Sequence, residues 1–250
     1  MPYGLYIAAE GAHAQAKRLE VIANNLANVD TAGFKRQLAV FQARYAEAID
    51  QGEDFPGSGS INQIGGGVMV RDTPTDFAPG PLERTHMPTD MALEHEGFFL
   101  VEKKGERFLT RAGNFRLTTR GELVTQQGYS VLGEDGNPIV LPQPTQPFDV
   151  NSAGEIVQGG FRRMLAVVKP AEDDMPQRIG ENLFRTQTTP EPVPIGQRQV
   201  VQGFLERSGV RPALEMVELI EASRLVEANL NLIKAQDQML SGLVQRLMKV

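Results

Sequence analysis

Two stretches of helical periodicity bracket this chain. Leu5, Ala9, Ala12, Ala16, Leu19, Ala23 and Leu26 recur at alternating spacings of four and three, and so do Leu219, Ser223, Val226, Leu230, Ile233, Asp237, Leu240, Val244 and Leu247. Such spacing runs an apolar edge along each helix, as in a coiled-coil seam. The first pattern predicts a helix over residues 3 to about 28, ended by the turn chemistry of Asp30, Thr31, Ala32 and Gly33. From Phe34 to about Ile49 the chain is expected to continue helically, with Phe41 and Tyr45 one turn apart. The second pattern predicts a helix from Pro212 to Leu247. Proline suits a first turn, where its missing N–H costs nothing, and Glu215 and Glu218 suit the dipole at that end.

Between the helices the period changes. Residues 51–67 are rich in Gly and Ser and read as a linker or extended segment. Gly65-Gly66-Gly67 has no Lys-Ser/Thr after it, so it fails as a phosphate loop. From 68 to 205 the pattern is β. Phe98–Val101 and Arg107–Thr110 flank Lys104-Gly105 as a hairpin, and Asn114–Thr118 and Leu123–Thr125 flank Arg120-Gly121 as another. Tyr129–Leu132 and Ile139–Leu141 surround a further turn, and Arg163–Lys169 reads as one longer strand. The acidic segment 170–182 reads as an exposed loop, and Thr188–Pro194, with its prolines, as a stretch hard to pair. The fold class expected is α+β: terminal helices packed as a coiled-coil-like stalk (1–50 and 206–250), the linker 51–67, and a mostly antiparallel β domain over 68–205.

Neither helix is expected to be robust alone. The first fills its seam with Ala, which permits close approach but contributes little area, and the second carries Leu225, Leu232, Met239 and Leu243 beside its strict seam. The two can close on each other as an intrachain hairpin. The extra apolar surface favours a further helical neighbour from another subunit, and the polar seam positions Ser223 and Asp237 suit a register-setting role.

Charge and composition remove several classes. With 25 Lys+Arg against 31 Asp+Glu the net charge is −6, and no basic block tracks a phosphate backbone, so no nucleic-acid partner is expected. No apolar run is long enough to span a bilayer. The amino-terminal stretch lacks a basic region, and Glu10, His13, Lys17 and Arg18 interrupt any signal-peptide core, so a route without a cleaved signal is expected if the protein leaves the cytoplasm. There is no cysteine, and only His13, His86 and His95 are available to a histidine metal centre. No metal, cofactor or small-molecule substrate is expected.

A run of motifs carries a resemblance. Ile22-Ala23-Asn24-Asn25-Leu26-Ala27-Asn28-Val29-Asp30-Thr31-Ala32-Gly33-Phe34-Lys35-Arg36 is similar to the amino-terminal signature of the flagellar rod and hook axial proteins. Gly97-Phe98-Phe99, Thr110-Arg111-Ala112-Gly113-Asn114-Phe115, Gly121–Thr125, Gly128–Gly133, Gln202–Ser208 and Ala235–Leu240 follow in family order. The length favours the basal-body rod proteins, proximal or distal, over the longer hook protein. The resemblance implies terminal helices in an inner tubular layer, an outer β domain, export by the flagellar type III apparatus, and assembly with adjacent rod and hook-side proteins into a driveshaft carrying motor torque. It implies no reaction. Asn24, Asn25 and Asn28 then hydrogen-bond neighbours at the helix end, or else only stop the helix and face water. Expected interface residues are the seam positions Leu5, Ala9, Ala12, Ala16, Leu19, Ala23, Leu26, Leu219, Val226, Leu230, Ile233, Leu240, Val244 and Leu247, together with these asparagines.

Two other readings use the same residues. An oligomeric adhesive module, with a ligand-holding β domain, shares the physics and lacks only the motifs. An enzyme needs a convergent polar site; His86 or His95 with Asp72, Asp76, Glu94 or Glu96 supplies the residue types but no recognisable motif.

Overall fold

The computed structural model describes residues 3–45, 49, 51–52, 55, 65–171 and 174–248. Most of the expected linker 51–67 therefore lies outside the described residues. The chain divides into two compact units: Met1–Ala27 with Gln37–Asp76 and Arg211–Val250, and Asn28–Arg36 with Phe77–Val210.

The helical unit is built on α1 (Tyr3–Ala27) and α2 (Pro212–Leu247). Alanine, the strongest helix former, dominates α1. In α2 Pro212 occupies the first turn with Glu215, and Arg246 sits in the last, so both charges complement the dipole. The helices pack antiparallel on each other. This unit also holds a two-stranded antiparallel ribbon, Val40–Ala43 with Val68–Asp72. The helical continuation expected after Phe34 is corrected here: Phe34 and Lys35 are buried, Gln37 bridges to Thr75, and Val40–Ala43 pairs with a strand far along the chain. The four-residue spacing of Phe41 and Tyr45 is compatible with either period, and the non-local pairing decides it.

The β unit is organised around Phe98–Lys103. One edge of that strand pairs antiparallel with Glu106–Thr110, and the other pairs with Ser130–Val131 and with Val167–Lys169. Phe99 and Val101 point into one core with Met91, Phe115, Leu123 and Ile156. Phe98 and Leu100 point into another with Leu109, Leu132 and Phe184. Burial on both faces is why this strand reads as an unbroken apolar run. Phe77, Phe98 and Phe184 meet edge-on with centroids 5.3–5.8 Å apart.

The expected hairpin at Lys104-Gly105 is present, with φ of 53° and 84° at the two turn residues. Positive φ at both positions is the type I′ turn, which matches strand twist and favours Asn before Gly. Replacing Lys104 by Asn is expected to stabilise this unit by about 0.5–1 kcal/mol. The check is the denaturation midpoint, and a lower midpoint would contradict the strain argument.

Two strand expectations change. Arg163–Lys169 splits between sheets: Phe161–Met164 pairs with Glu155–Gln158, whereas Val167–Lys169 pairs with Phe98-Phe99 and Glu191-Pro192. The sequence shift from Arg162-Arg163 to Leu165–Val168 marks the passage from a half-solvated sheet to one buried on both faces. The exposed loop over 170–182 is corrected at its end, where Gln177–Gly180 forms a hairpin with Leu183–Arg185 around Glu181-Asn182. Its register is held by polar contacts from Arg178 and Asn182, described below.

Candidate assembly interface

The register of the two helices is fixed by four pairs. A Cβ on Gly4 would stand 2.9 Å from Gln236 Nε2, and one on Gly11 would stand 3.3 Å from Asn229 Oδ1. Asn25 Nδ2 donates to Glu215 Oε2 at 3.4 Å, and Arg18 pairs with Glu218 at 3.6 Å. Gly4, Gly11, Arg18 and Asn25 are seven residues apart, as are Glu215, Ala222, Asn229 and Gln236, so one heptad position of each helix faces the other. A glycine inside a helix costs about 1 kcal/mol relative to Ala. Here the missing Cβ makes room for the amides across the seam.

The closed face of α1 therefore carries Gly4, Ala8, Gly11, Gln15, Arg18, Ile22 and Asn25. Each stands one residue before a predicted seam position, about 100° around the helix. The predicted residues lie elsewhere: Ala9, Ala16 and Ala23 are exposed, while Leu5, Ala12, Leu19 and Leu26 are half-buried. In α2 the seam residues Leu219, Val226 and Ile233 flank the contact and are half-buried, whereas Leu230, Leu240 and Val244 are exposed. Of Leu247 only the backbone is described. Leu225, Leu232, Met239 and Leu243, expected beside the seam, are exposed as well. The single chain thus closes a narrow hairpin and leaves most of the described large aliphatics of α2 exposed.

The asparagines separate. Asn25 is buried, with its Nδ2 donating to the Gln37 carbonyl at 2.9 Å and its Oδ1 accepting from the Gln37 N–H at 3.0 Å. Its amide therefore acts as one rung of a strand ladder. Asn24 is exposed, and Asn28 accepts from the Thr31 hydroxyl at the turn after α1.

Beyond α1 the segment Asn28–Arg36 is embedded in the β unit. Gly33 has φ of 65°, and its N–H donates to the Glu206 carbonyl at 2.7 Å. The Asn182 amide donates to the Ala32 carbonyl, and Arg178 donates to the Lys35 carbonyl while lying 4.1 Å over the Phe34 ring. Beneath them lies a buried ionic cluster. Lys35 is 0% exposed; its Nζ donates to Glu206 Oε1 at 2.6 Å and to the Ala78 carbonyl at 2.8 Å. The same Oε1 accepts the Gly80 N–H at 2.7 Å, and Glu206 Oε2 faces Arg111 Nη1 at 3.3 Å. Arg111 also donates to the carbonyls of Leu93 and His95. Burial pulls the Arg111 guanidinium below its usual pKa, against the opposing pull of the Glu206 and Glu96 carboxylates.

Sequence reasoning missed this cluster. In the sequence Lys35 stands out only as part of the amino-terminal signature, and its partner stands 171 residues away. The nearest available signal was the Gly33-Phe34 pair beside it, a positive-φ residue next to a large aromatic.

The residues of the enzyme reading divide between the units: Asp72 and Asp76 belong to one, and His86, Glu94, His95 and Glu96 to the other. Glu94, His95 and Glu96 line a 590 Å³ depression with Lys169, Val193 and Gln197, but all three are exposed, and the lining holds no hydroxyl or thiol nucleophile. Among the described residues no group of His, Asp and Glu has the arrangement of a metal site, and no helix is long and apolar enough to cross a membrane.

Three family models match the chain in order. "Flagella basal body rod protein" matches residues 5–35, "Flagellar hook protein FlgE/F/G D1 domain" residues 92–158, and "Flagellar basal body rod FlgEFG protein C-terminal" residues 201–246. The chain is 31% identical over 254 residues to the flagellar basal-body rod protein FlgF of Caulobacter vibrioides, covering 100% of both chains. It is 31% identical over 258 residues to FlgG of Bacillus subtilis, covering 96% of this chain and 97% of the relative. With FlgG of Buchnera aphidicola subsp. Acyrthosiphon pisum the identity is 33% over 261 residues, covering 96% and 98%.

Proposed function

Since the chain belongs to the family of flagellar basal-body rod proteins, we propose that the exposed aliphatics of its helical hairpin are the contacts through which its copies polymerise. The protein is a structural subunit of the periplasmic rod, associated with other axial proteins, and it has no catalytic role. In the finer reading the helical unit, Met1–Ala27 with Gln37–Asp76 and Arg211–Val250, is the assembly domain and the unit of Asn28–Arg36 and Phe77–Val210 is the outer β domain, in place of the expected bounds 1–50 with 206–250, 51–67 and 68–205. The subunit reaches the rod through the flagellar type III export apparatus without a cleaved signal, and the finished rod passes motor torque toward the hook.

The observation that carries the interface reading is the mismatch between the two faces of the hairpin. Its inner seam is mostly Gly, Ala, Asn and Gln, with Arg18, Glu215 and a single large aliphatic, Ile22, while Leu230, Leu240 and Val244 face water in the single chain. Large aliphatics at heptad spacing, left uncovered by the intrachain partner, fit burial by a further helix.

Leu230→Asp tests it. Leu230 is 45% exposed, so a carboxylate there is solvated in the free subunit and the hairpin and β unit fold normally. Buried at a subunit contact, the same carboxylate costs several kcal/mol, repeated at each copy. The expected result is loss of swimming and of rod-incorporated subunit, with export retained. Wild-type rod yield from this variant would remove Leu230 from the interface.

A further inference from the structure

Helix α2 outruns its partner. The register of Gly4 with Gln236 and Gly11 with Asn229 sets Tyr3, the first residue of α1, opposite Asp237. Yet α2 continues to Leu247, about 15 Å further at 1.5 Å per residue. Among the described residues, no helix of the same chain lies along Gln238–Leu247. The composition changes at that point. Upstream, the α2 positions facing α1 are Glu215, Ala222, Asn229 and Gln236, all small or polar. The next member of the series is Leu243, 57% exposed, with Leu240 and Val244 beside it at 37% and 52%. A large aliphatic thus appears at the facing position where the intrachain partner has ended. The stretch has no acidic residue, and Arg246 is its only charge.

We propose that this overhang docks on helix α1 of a second copy of the chain, along the face of Ala9, Ala16 and Ala23. The proposal rests on the hairpin being the polymerising element. Three observations select this occupant. The heptad position that faces α1 runs unbroken from Glu215 through Ala222, Asn229 and Gln236 to Leu243, so the groove that α1 occupies upstream continues along the overhang as the same surface. The partner in a homopolymer is another copy, and in each copy the Gly4–Asn25 face of α1 is already closed by its own α2. On the side one residue on from Ala8, Gln15 and Ile22, Ala9, Ala16 and Ala23 are exposed and repeat a methyl-sized side chain every seven residues. Leu243 and Val244 are knobs, and an alanine row allows the close helix approach that knobs require.

The absence of native cysteine makes the contact directly readable. Val244→Cys is combined in turn with Ala9→Cys, Ala16→Cys and Ala23→Cys in the full chain, and basal bodies purified from the cells are oxidised. Within one chain residue 16 faces the level of residue 224, about 30 Å along α2 from residue 244. A disulfide needs Cα atoms within about 7 Å, so any bond formed joins two copies. At least one pair is expected to convert the rod subunit into covalent multimers beyond the dimer, with none from the single-cysteine chains. Assembled rods in which all three pairs stay monomeric would overturn the proposal, as would cross-linking only to a different protein. Leu243→Asp decides the matter if the cysteine pairs do not assemble. It is expected to leave the exported subunit folded and lower its amount in rods at least about tenfold, and wild-type incorporation would overturn the docking. Absence of the unmodified chain from basal bodies would instead sink the polymerising role, a distinguishable failure.

Discussion

Replacing Lys35 by Met is expected to cost the β unit about 3–5 kcal/mol, because it strips a buried carboxylate of its nearest cation. Glu206 would keep the Gly80 N–H and the longer contact to Arg111, but the 2.6 Å charge pair would be gone and the Ala78 carbonyl would lose its donor. Neither group can recover by turning to solvent, since the Lys35 and Glu206 side chains are each only 1% exposed. Removing both charges is a different experiment. Lys35→Met with Glu206→Leu leaves no orphaned anion, and Arg111 still donates to Leu93 and His95. The double variant is expected to recover part of the loss, with a coupling of roughly 2 kcal/mol in a double-mutant cycle. Urea denaturation of the full chain, followed by the circular dichroism of the β unit, reads both quantities. A midpoint for Lys35→Met equal to the parent's would mean that the pair contributes nothing and that water reaches Glu206. Lys35→Arg is expected to be harmful as well, because a planar guanidinium does not fit a site built around one ammonium.

Gly33→Val is expected to be at least as damaging. A Cβ at this position would lie 2.4 Å from the carbonyl carbon and oxygen of Arg111 and 2.6 Å from the Ala112 nitrogen, all backbone atoms that cannot swing aside. The backbone also sits at φ of 65°, where a β-branched residue adds strain of about 1–3 kcal/mol. Relief requires moving the segment off the strand that receives the Gly33 N–H, which disturbs the Glu206 site beneath it. The combined cost is about 3–6 kcal/mol, overlap and strain together. Gly33→Ala separates the causes: the same clash with less torsional strain, and therefore a slightly smaller loss. Denaturation of both variants checks this, and a stability for Gly33→Val within about 1 kcal/mol of the parent would show that the contact yields.

What the sequence disclosed follows how local each determinant is. Helix α2 runs from Pro212 to Leu247 as expected, because its start is set by one proline and its body has no breaker strong enough to stop it. The Lys104-Gly105 hairpin was legible for the same reason: turn residues and flanking apolar runs lie within a dozen positions. The terminal helices pack together, but the face of α1 that closes the hairpin stands one residue from the predicted seam. Hydrophobic periodicity selects Leu5, Leu19 and Leu26, while the contact is made by Gly4, Gly11, Arg18 and Asn25, which that periodicity scores as polar or neutral. A seam built on closeness and amide contacts is invisible to a scale of apolarity. Lys35 and Glu206 were illegible for a further reason: each takes its meaning only from a partner more than a hundred residues away, and by composition both belong to the solvated surface.

The thinness of that inner seam governs how such a subunit grows a polymer. Gly4, Gly11, Asn229 and Gln236 hide little hydrocarbon between the helices, while Leu225, Leu232, Leu243 and Val244 remain in water. A helix of this kind draws its order from tertiary burial more than from its own propensity. On the proposed interface, the free energy of burying those side chains is released when a copy joins the polymer. On that reading, two free subunits meeting in solution cover less of this surface than the end of a growing polymer covers. Nucleation is then slow and elongation favourable, and a growing end consumes free subunits down to the critical concentration, where addition and loss balance. On the proposed interface, the same economy of contact that leaves those aliphatics exposed in the single chain favours growth at an existing end over new nucleation.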